Sequence, residues 1–394
     1  QTNVFIMKKK IIILGATGSI GTITTNIIFK NKKNFKVVLL TAYKNYKKLL
    51  SQAKKIDCNN VVIFDKENFK KAKKFNINRN IKIFNSIKDF LKINKYKVDY
   101  SMCAISGLSG LESIIEIIKV TKNIAIANKE SIICGWNLIQ KEILKYKVRF
   151  IPVDSEHFSI QSLINDKKKN ELDIIYITAS GGPFLKLQNS QLKNVSVEKA
   201  IKHPNWSMGK KISIDSATLM NKVFEIIEAQ RIFQLPLSKF KILIHPKSYL
   251  HSIVKFHDGT SKLLIHDTNM KIPIFNSLFI DNLNRKIKTN KIDFKTINNL
   301  DLSNVDLLKF PTVKFIKMIP DNISLFETVL VTANDTLVDL YIKKKIAYQD
   351  IYKNLYRILK LKEFTKLKSS KPRNVIQIIK LSKYVALKTK SLCV

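Results

Sequence analysis

The stretch KKKIIILGATGSIG, residues 8–21, constrains the fold of this chain more than any other. Its apolar part, Ile11 to Leu14, is typical of a strand buried on both faces of a parallel sheet. Three glycines (Gly15, Gly18 and Gly21) come next, and a helical pattern follows. Glycines at such a turn let the backbone approach a pyrophosphate, which then lies at the positive end of the helix. The stretch therefore predicts a nucleotide-binding strand, turn and helix.

The spacing GxxGxxG differs from the usual GxGxxG, so the motif depends on its context. Further apolar runs follow at strand-like intervals, each ending in polar residues: FKVVLLTAY (35–43), VDYSMCAISGLSG (98–110), NIAIANKES (123–131) and KVRFIPVDSEH (147–157). Strands alternating with helices indicate a parallel, doubly wound sheet whose strand ends deliver polar residues to one edge. We expect an α/β protein with a Rossmann-like N-terminal domain.

The end of the second strand indicates which dinucleotide binds. Sites that prefer NAD place an acid about 20 residues beyond the glycines, where it holds the ribose hydroxyls. Here the corresponding residues are Tyr43, Lys44 and Asn45. A cation and an amide in place of a carboxylate favour a 2′-phosphate, which predicts NADPH as the cofactor.

The charge of the chain bears on its partners. With 70 Lys and Arg against 30 Asp and Glu, the formal net charge is +40. Such a charge can indicate nucleic acid or an anionic membrane as a partner. The lysines are, however, spread over the whole length among many Ile and Asn residues, which is typical of compositional drift. We therefore expect no nucleic-acid partner, and a salt-sensitive nucleic-acid-binding protein is the alternative.

The sequence also bears on localisation and on the redox state of the cysteines. No apolar run approaches the roughly 20 residues of a membrane span, and the opening residues lack the order of a signal peptide, with Met7 a candidate first residue. We expect a cytoplasmic enzyme without a membrane partner. The four cysteines form no CxxC pair, so buried free thiols are favoured over zinc ligands or disulfides.

Two scarce carboxylates lie together in VDSEH, just past a predicted strand. Asp154 and Glu156 would point to the same side if the chain stayed extended. Paired oxygen ligands of this kind suit Mg²⁺ or Mn²⁺. The alternative is a helix start with Asp154 as N-cap and an exposed Glu156, and the stretch alone does not decide between the two.

A third carboxylate comes from the segment ISIDSATLMNKVFEIIEAQRIF, residues 212–233. At about 100° per residue, Asn221, Lys222, Glu225 and Glu228 share one arc of a helix. A solvent-exposed face is the alternative reading. HPNWSMG, residues 203–209, precedes the helix and carries a His, a Trp, a Met and a Gly, as loops that close over substrates do. This context favours a functional face.

These motifs also carry a family resemblance. GATGSIG, ANKES, VDSEH, ASGGPF, HPNWSMGKKISIDSATLMNK with Glu225, and IHPKSYLHSIVKFHDG occur in the order and spacing of 1-deoxy-D-xylulose 5-phosphate reductoisomerases. The resemblance runs from about residue 8 to about residue 360. It implies rearrangement and reduction of 1-deoxy-D-xylulose 5-phosphate to 2-C-methyl-D-erythritol 4-phosphate for isoprenoid synthesis, with NADPH and Mn²⁺ or Mg²⁺, in a homodimer.

The resemblance also implies roles for single residues. The metal ligands would be Asp154, Glu156 and Glu225. The catalytic residues would be Glu156, Lys129 and His203. The substrate-binding residues would be Lys129, Ser155, Glu156, Ser180, His203, Ser216, Asn221, Lys222 and Glu225, with Trp206 and Met208 on the covering loop. The cofactor-binding residues would be Thr17, Gly18, Ser19, Ile20, Lys44, Asn45, Asn128, Glu130 and Gly209.

The chain departs from the family pattern at a few positions. Tyr43 stands where the family usually has glycine, which predicts crowding of the cofactor. Val223, Phe224 and Asp335 replace the usual glycine, leucine and glutamate. None of these changes removes an implied metal or phosphate ligand. A plain NADPH dehydrogenase and an inactive relative stay open as alternatives.

The expected domain organisation has four parts. Residues 1–153 form the NADPH-binding domain and residues 154–294 an α/β catalytic and metal-binding domain, with a hairpin turn at Asp258 and Gly259. Residues 295–310 connect it to a C-terminal helical bundle, residues 311–394.

Overall fold

A computed structural model of the chain describes residues 7–76, 81–94, 96–206, 208–281, 285–290 and 293–393, without the side chains of 194 and 296. Two compact units make up the chain. The first comprises residues 1–131, 138–154 and 270–287, and the second comprises 132–137, 155–269 and 288–394. The contacts divide the chain into two units, and the four-part division into domains stays a prediction.

The first unit is built on a seven-stranded parallel sheet in the order β4-β3-β2-β1-β5-β6-β7. The strands are β1 (Lys9–Leu14), β2 (Phe35–Ala42), β3 (Asn60–Ile63), β4 (Lys82–Phe84), β5 (Val98–Cys103), β6 (Thr121–Ile126) and β7 (Arg149–Ile151). The helices of this unit are α1 (Ser19–Lys30), α2 (Tyr46–Lys55), α3 (Lys66–Phe75), α4 (Ile87–Ile93), α5 (Gly110–Ile118), α6 (Lys129–Tyr146, kinked at Gly135) and α11 (Lys271–Leu278). Residues 132–137 of α6, around the kink, are grouped with the second unit. The predicted doubly wound α/β fold is confirmed.

The sequence pattern of β1 explains its central place in this sheet. Ile11 to Leu14 are fully buried, as an apolar run between two helical layers should be. The turn that follows is tightly packed, because a Cβ at Gly21 would lie 2.3 Å from the carbonyl oxygen of Gly15. Only glycine at position 21 therefore lets α1 begin this close to the strand.

Residues 270–287, which the predicted division includes in the catalytic domain, are grouped with the first unit by their contacts. The apolar face of α11 explains this position. Ile274, Phe275 and Leu278 belong to the core of the first unit, and the Phe279 ring packs edge-on against Phe35, with centroids 5.0 Å apart. A buried hydrogen bond of 2.7 Å joins the hydroxyls of Ser277 and Tyr100.

The second unit contains a five-stranded mixed sheet in the order β11-β10-β8-β9-β12. Its strands are β8 (Leu172–Ala179), β9 (Phe240–Ile244), β10 (Leu250–Phe256), β11 (Ser261–Ile265) and β12 (Ser303–Asn304). Strands β8 and β9 are parallel, and the other pairs are antiparallel. The predicted hairpin joins β10 to β11, and Gly259 has the positive φ of +85° that such a turn uses.

The helices of the second unit flank this sheet and form the C-terminal region. They are α7 (Ser155–Ile164), α8 (Val197–Ala200), α9 (Lys210–Ala217), α10 (Met220–Phe233), α12 (Phe294–Ile297), α13 (Phe326–Ile342), α14 (Tyr348–Leu359), α15 (Lys362–Thr365) and α16 (Val375–Cys393). Short 3-10 helices cover 169–171, 189–194, 237–239, 311–318 and 366–369. The predicted connection 295–310 adds β12 to the sheet. In the described part of the chain, no helix is both long enough and apolar enough to cross a membrane.

Candidate active site

Several predicted cofactor residues lie at the carboxyl edge of the first sheet. Gly18 precedes α1, and Ser19 and Ile20 begin it. Asn45 caps α2, since its side-chain oxygen accepts from the backbone N–H of Lys48 at 3.1 Å. Because the carboxyl ends of β1 and β2 are adjacent, the glycine turn and the Lys44–Asn45 turn face the same edge.

Lys48 also lies at this edge, although no sequence motif indicated it. Its ammonium donates to the carbonyl oxygen of Thr17 at 2.9 Å. The sequence carries no signal for this contact, because the partner of Lys48 is a backbone carbonyl group.

Asn128 and Lys129 lie at the start of α6. The amide of Asn128 donates to the carbonyl oxygens of Ile105 and Gly107 at 2.5 and 2.7 Å, and its oxygen accepts from the N–H of Ser131. The Asn128 side chain thus joins the start of α6 to the loop that follows β5, although the sequence predicts that Asn128 contacts the cofactor. Lys129 forms an ion pair with Asp154, and Glu130 lies in the first turn of α6.

The VDSEH stretch is not extended. The prediction that Asp154 and Glu156 point to the same side depended on an extended chain. Helix α7 begins at Ser155 and places Glu156 in its first turn. The alternative of an exposed Glu156 is also wrong, since this residue is only 7% exposed. Its carboxylate accepts from the hydroxyl of Ser155 at 2.6 Å.

A buried lysine joins Glu156 to Glu225. The Lys222 ammonium lies 2.5 Å from Oε1 of Glu156 and 2.6 Å from Oε2 of Glu225. Asn221 donates to the other oxygen of Glu225. Lys222 and Glu225 are 7% and 1% exposed, so the solvent-exposed face considered for α10 is not what forms. Instead, α10 turns its charged residues into the unit, where they neutralise one another.

Burial lowers the pKa of Lys222, but the charges of Glu156 and Glu225 have the larger combined effect, and the pKa is raised. Lys222 is therefore a cation here.

Three carboxylates come together at the start of α7. Asp154 immediately precedes this helix, and one oxygen each of Asp154, Glu156 and Glu225 lies within 4.8 Å of the others. Three carboxylate oxygens are a suitable donor set for Mg²⁺ or Mn²⁺. The predicted metal ligands are therefore neighbours, with Lys222 between two of them.

A second candidate group shares Asp154 and adds His157 and Glu228. His157 is fully buried, and its Nε2 lies 2.9 Å from the backbone carbonyl oxygen of Glu225, while its Nδ1 lies 3.5 Å from Glu228. One ring nitrogen of His157 therefore contacts the backbone of Glu225, and the other lies near the Glu228 carboxylate. The sequence placed Glu228 on the right arc but assigned no role to either residue.

A second group of polar residues is assembled around ASGGPF. Ser180 follows β8, and both Gly181 and Gly182 have positive φ. A Cβ at Gly182 would lie 2.9 Å from the Cα of Ala217 and 3.0 Å from the carbonyl oxygen of Ser216. The missing side chain therefore lets the Ser180 turn approach the end of α9, where Ser216 lies.

His203 of the HPNWSMG loop contacts Ser180. Its Nδ1 accepts from the backbone N–H groups of Asn205 and Trp206 at 3.1 and 3.0 Å, so the proton lies on Nε2. That nitrogen donates to the Ser180 hydroxyl at 2.9 Å. Burial and the charge of Lys222 lower the pKa of His203 to about 4. His203 is therefore neutral at physiological pH.

The Ser180 hydroxyl oxygen accepts two hydrogen bonds, from His203 and from the N–H of Gly182 at 3.0 Å. With both lone pairs occupied, its own proton is available for an anion.

The rest of the loop is anchored to neighbouring strands. Asn205 donates to the Pro246 carbonyl and the Ser248 hydroxyl at 2.6 and 2.8 Å. Trp206 packs edge-on against His251, which is buried in β10 and stacks on His266. Gly209 precedes α9 with open space around its Cα. Met208 is described, whereas Ser207 lies outside the described residues.

The first unit carries a glycine turn on a parallel sheet, and the second carries Glu156, Glu225 and an anion site, with Asp154 next to the start of α7 in the chain. These features define an α/β oxidoreductase that uses a dinucleotide and a divalent ion. Comparison with known proteins identifies which one. Models of the 1-deoxy-D-xylulose 5-phosphate reductoisomerase family match residues 11–135, and models of its C-terminal domains match 150–233 and 266–386. The chain belongs to the 1-deoxy-D-xylulose 5-phosphate reductoisomerase family.

Individual relatives support this placement along the whole chain. The enzyme of Pelagibacter ubique (strain HTCC1062) is 55% identical over 388 residues, which is 98% of this chain and 100% of the relative. The Zymomonas mobilis enzyme, solved in complex with NADPH, is 29% identical with a TM-score of 0.87, covering 98% of this chain and 99% of that one. A reductoisomerase solved with NADPH, fosmidomycin and magnesium has the same identity and TM-score, covering 98% of this chain and 97% of that one.

Proposed function

We propose that this enzyme converts 1-deoxy-D-xylulose 5-phosphate to 2-C-methyl-D-erythritol 4-phosphate with NADPH and Mg²⁺ or Mn²⁺. The observation that carries the proposal is Lys222, a buried cation held by two of the candidate metal ligands. The structural relatives were solved with NADPH and with magnesium, and family membership supplies the reaction.

The substrate phosphate would bind to the polar residues of the second unit. Ser180 offers a free hydroxyl proton, and Ser216 lies at the helix end packed against Gly182. Asn221 and Lys222 follow on α10 and supply an amide and a cation. Two hydroxyls, an amide and one ammonium match the donor requirements of a phosphate dianion.

Asp154, Glu156 and Glu225 would hold the divalent ion through their carboxylate oxygens. When bound, the ion supplies Lewis acidity to the ketone and the adjacent hydroxyl of the substrate. Lys222 would then be displaced from between Glu156 and Glu225, and its charge becomes available to the phosphate. The same lysine thus neutralises the empty site and binds the substrate in the filled one.

The protein residues would orient the substrate and move protons. Lys129 and Ser155 would contact its carbonyl and hydroxyl end, and Glu156 is placed to transfer a proton from a hydroxyl. A carbon–carbon bond breaks in a retro-aldol sense and forms again to give a branched aldehyde. Bound NADPH supplies the hydride for the final reduction. The neutral His203 keeps the loop folded over Ser180, which excludes water.

NADPH would bind at the carboxyl edge of the first sheet. Its contacts would be Thr17, Gly18, Ser19, Ile20, Lys44, Asn45, Asn128, Glu130 and Gly209. The side chain of Asn128 already makes hydrogen bonds to three backbone groups, so its contribution would come from its backbone. The glycine turn fits a dinucleotide, because it leaves no side chain between the backbone and a pyrophosphate.

The enzyme would act as a homodimer in the cytoplasm. Strand β11 is an edge strand with Leu263 and Ile265 exposed, 42% and 38% respectively. An exposed apolar edge strand is a favourable place for pairing with a second copy. Light scattering after gel filtration would give twice the 45.4 kDa chain mass, and the monomer mass would refute the dimer.

The activity is tested by mixing purified protein with 1-deoxy-D-xylulose 5-phosphate, NADPH and Mn²⁺, and following NADPH absorbance with mass spectrometry of the product. We expect oxidation that stops with EDTA and with Glu225→Gln, and persists with Glu171→Gln, which changes an acid remote from the ligand set. A product with an unbranched carbon chain would indicate a plain dehydrogenase. No NADPH oxidation by folded wild-type protein would refute the proposal.

A further inference from the structure

An exposed aromatic ring lies at the carboxyl end of β2. Tyr43 directly follows this strand and is 63% exposed. Its backbone is nonetheless fixed, because its carbonyl oxygen accepts from the N–H of Asp65 at 3.1 Å. The backbone that carries this side chain is therefore held in place, while most of the residue stays exposed to solvent.

Tyr43 is also tied to the glycine turn. Thr41, two residues earlier, accepts from Gly15 N through its hydroxyl at 2.9 Å and from Ala16 N through its carbonyl at 2.8 Å. These bonds fix the end of β2 against the turn. In Rossmann-type sheets, the adenosine half of the dinucleotide lies beside the end of this strand.

Two lysines flank the same place. The Lys44 ammonium lies 5.6 Å from the Tyr43 ring centroid, and Lys48 reaches the Thr17 carbonyl. Helix α2 has no acidic residue in its first turn, so cations at its positive end are uncompensated there. Asp65, the acid near Lys44, is engaged as the N-cap of α3, where it accepts from Asn68.

We propose that Tyr43 is a stacking platform for the adenine ring of the dinucleotide, and that Lys48 acts with Lys44 on its 2′-phosphate. The inference rests on the proposed NADPH binding and assigns roles to two residues outside the expected contacts. It also reverses the expected crowding at Tyr43, because a tyrosine that is 63% exposed offers an aromatic surface that glycine lacks. Two cations and a helix N-terminus suit a phosphate dianion.

The test is titration calorimetry of the full chain with NADPH and with NADH. Tyr43→Ala should weaken both cofactors by the same factor, roughly tenfold, while Tyr43→Phe should bind like wild type. Lys48→Met should weaken NADPH roughly fivefold and NADH much less, since only NADPH carries the phosphate.

Matched controls exist for both residues. Tyr96 is another exposed tyrosine with a lysine over its ring, Lys10 at 3.8 Å, but it precedes β5 at the opposite edge of the sheet. Lys47 is the exposed neighbour of Lys48 on α2. Tyr96→Ala and Lys47→Met should leave both affinities unchanged.

The inference is overturned if Tyr43→Ala binds NADPH as tightly as wild type or more tightly, or if Lys48→Met weakens NADH as much as NADPH. If the wild-type protein binds NADPH, either of these results leaves the proposed function intact. A folded wild type that binds neither cofactor would refute the proposed function, and this inference with it.

Discussion

Replacing Lys222 by methionine tests how the second unit stabilises two buried carboxylates. Lys222 bridges Glu156 and Glu225 at 2.5 and 2.6 Å, and all three residues are buried. Removing one partner of a buried ion pair typically costs about 3 to 5 kcal/mol, because the remaining charge is left uncompensated. We expect Lys222→Met to lower the free energy of unfolding by about this amount in EDTA.

Bound Mn²⁺ should recover most of this loss, since its two positive charges would replace the ammonium beside the same carboxylates. The measurement is urea unfolding of wild type and variant, in EDTA and in Mn²⁺, followed by tryptophan fluorescence. The chain has two tryptophans, Trp136 and Trp206, and both belong to the second unit, so the signal reports that unit.

Arg231→Met is the matched control. Arg231 pairs with Glu327 in the same unit, with both residues buried, and neither belongs to the candidate metal groups. Its loss should also be about 3 to 5 kcal/mol, and it should be the same in EDTA and in Mn²⁺. Equal losses for Lys222→Met in the two conditions, or an equal recovery for Arg231→Met, would refute the reasoning.

Two further predictions concern the glycine turn and the loop. Gly21→Ala should lower the melting temperature measured by calorimetry, because its Cβ would lie 2.3 Å from the Gly15 carbonyl oxygen. Gly18→Ala is the control and should melt like wild type, since the atom nearest to its Cβ would be 3.5 Å away. Equal melting temperatures for the two variants would contradict this prediction. The pKa of His203 is lowered from 6.5 to about 4. As the pH falls, His203 of the unfolded chain therefore takes up a proton at a higher pH than His203 of the native chain. The native loop should lose stability as the pH falls from 6.5 towards 4, with no effect above 6.5. Trp206 fluorescence in a Trp136→Phe background should report this change, and His203→Gln should remove it; a pH response that survives His203→Gln would contradict the assignment.

Local patterns were sufficient for much of the fold. The apolar run Ile11 to Leu14 predicted a buried central strand, and Asp258 with Gly259 predicted the hairpin, because each depends on neighbouring residues. The return of 270–287 to the first unit was not predicted, since it depends on contacts such as Phe279 with Phe35, far apart in sequence.

The candidate site, like the fold, could be predicted from the sequence only in part. The family motifs indicated Asp154, Glu156, Glu225 and Lys222, but not that Lys222 would bridge two carboxylates, because α7 and α10 meet only in the folded unit. Periodicity placed Lys222 and Glu225 on a polar arc and could not tell a buried arc from an exposed one. Lys48 and His157 were missed because their contacts are with backbone carbonyls, which no residue pattern shows.

A Mn²⁺ titration followed by electron paramagnetic resonance determines whether Asp154, Glu156 and Glu225 bind the divalent ion. Glu225 and Glu228 lie on the same helix, are both 1% exposed, and belong to different candidate groups. We expect Glu225→Gln to lose the bound Mn²⁺ and Glu228→Gln to keep it. Loss of Mn²⁺ binding in Glu228→Gln with retention in Glu225→Gln would contradict this expectation and assign the ion to Asp154, His157 and Glu228.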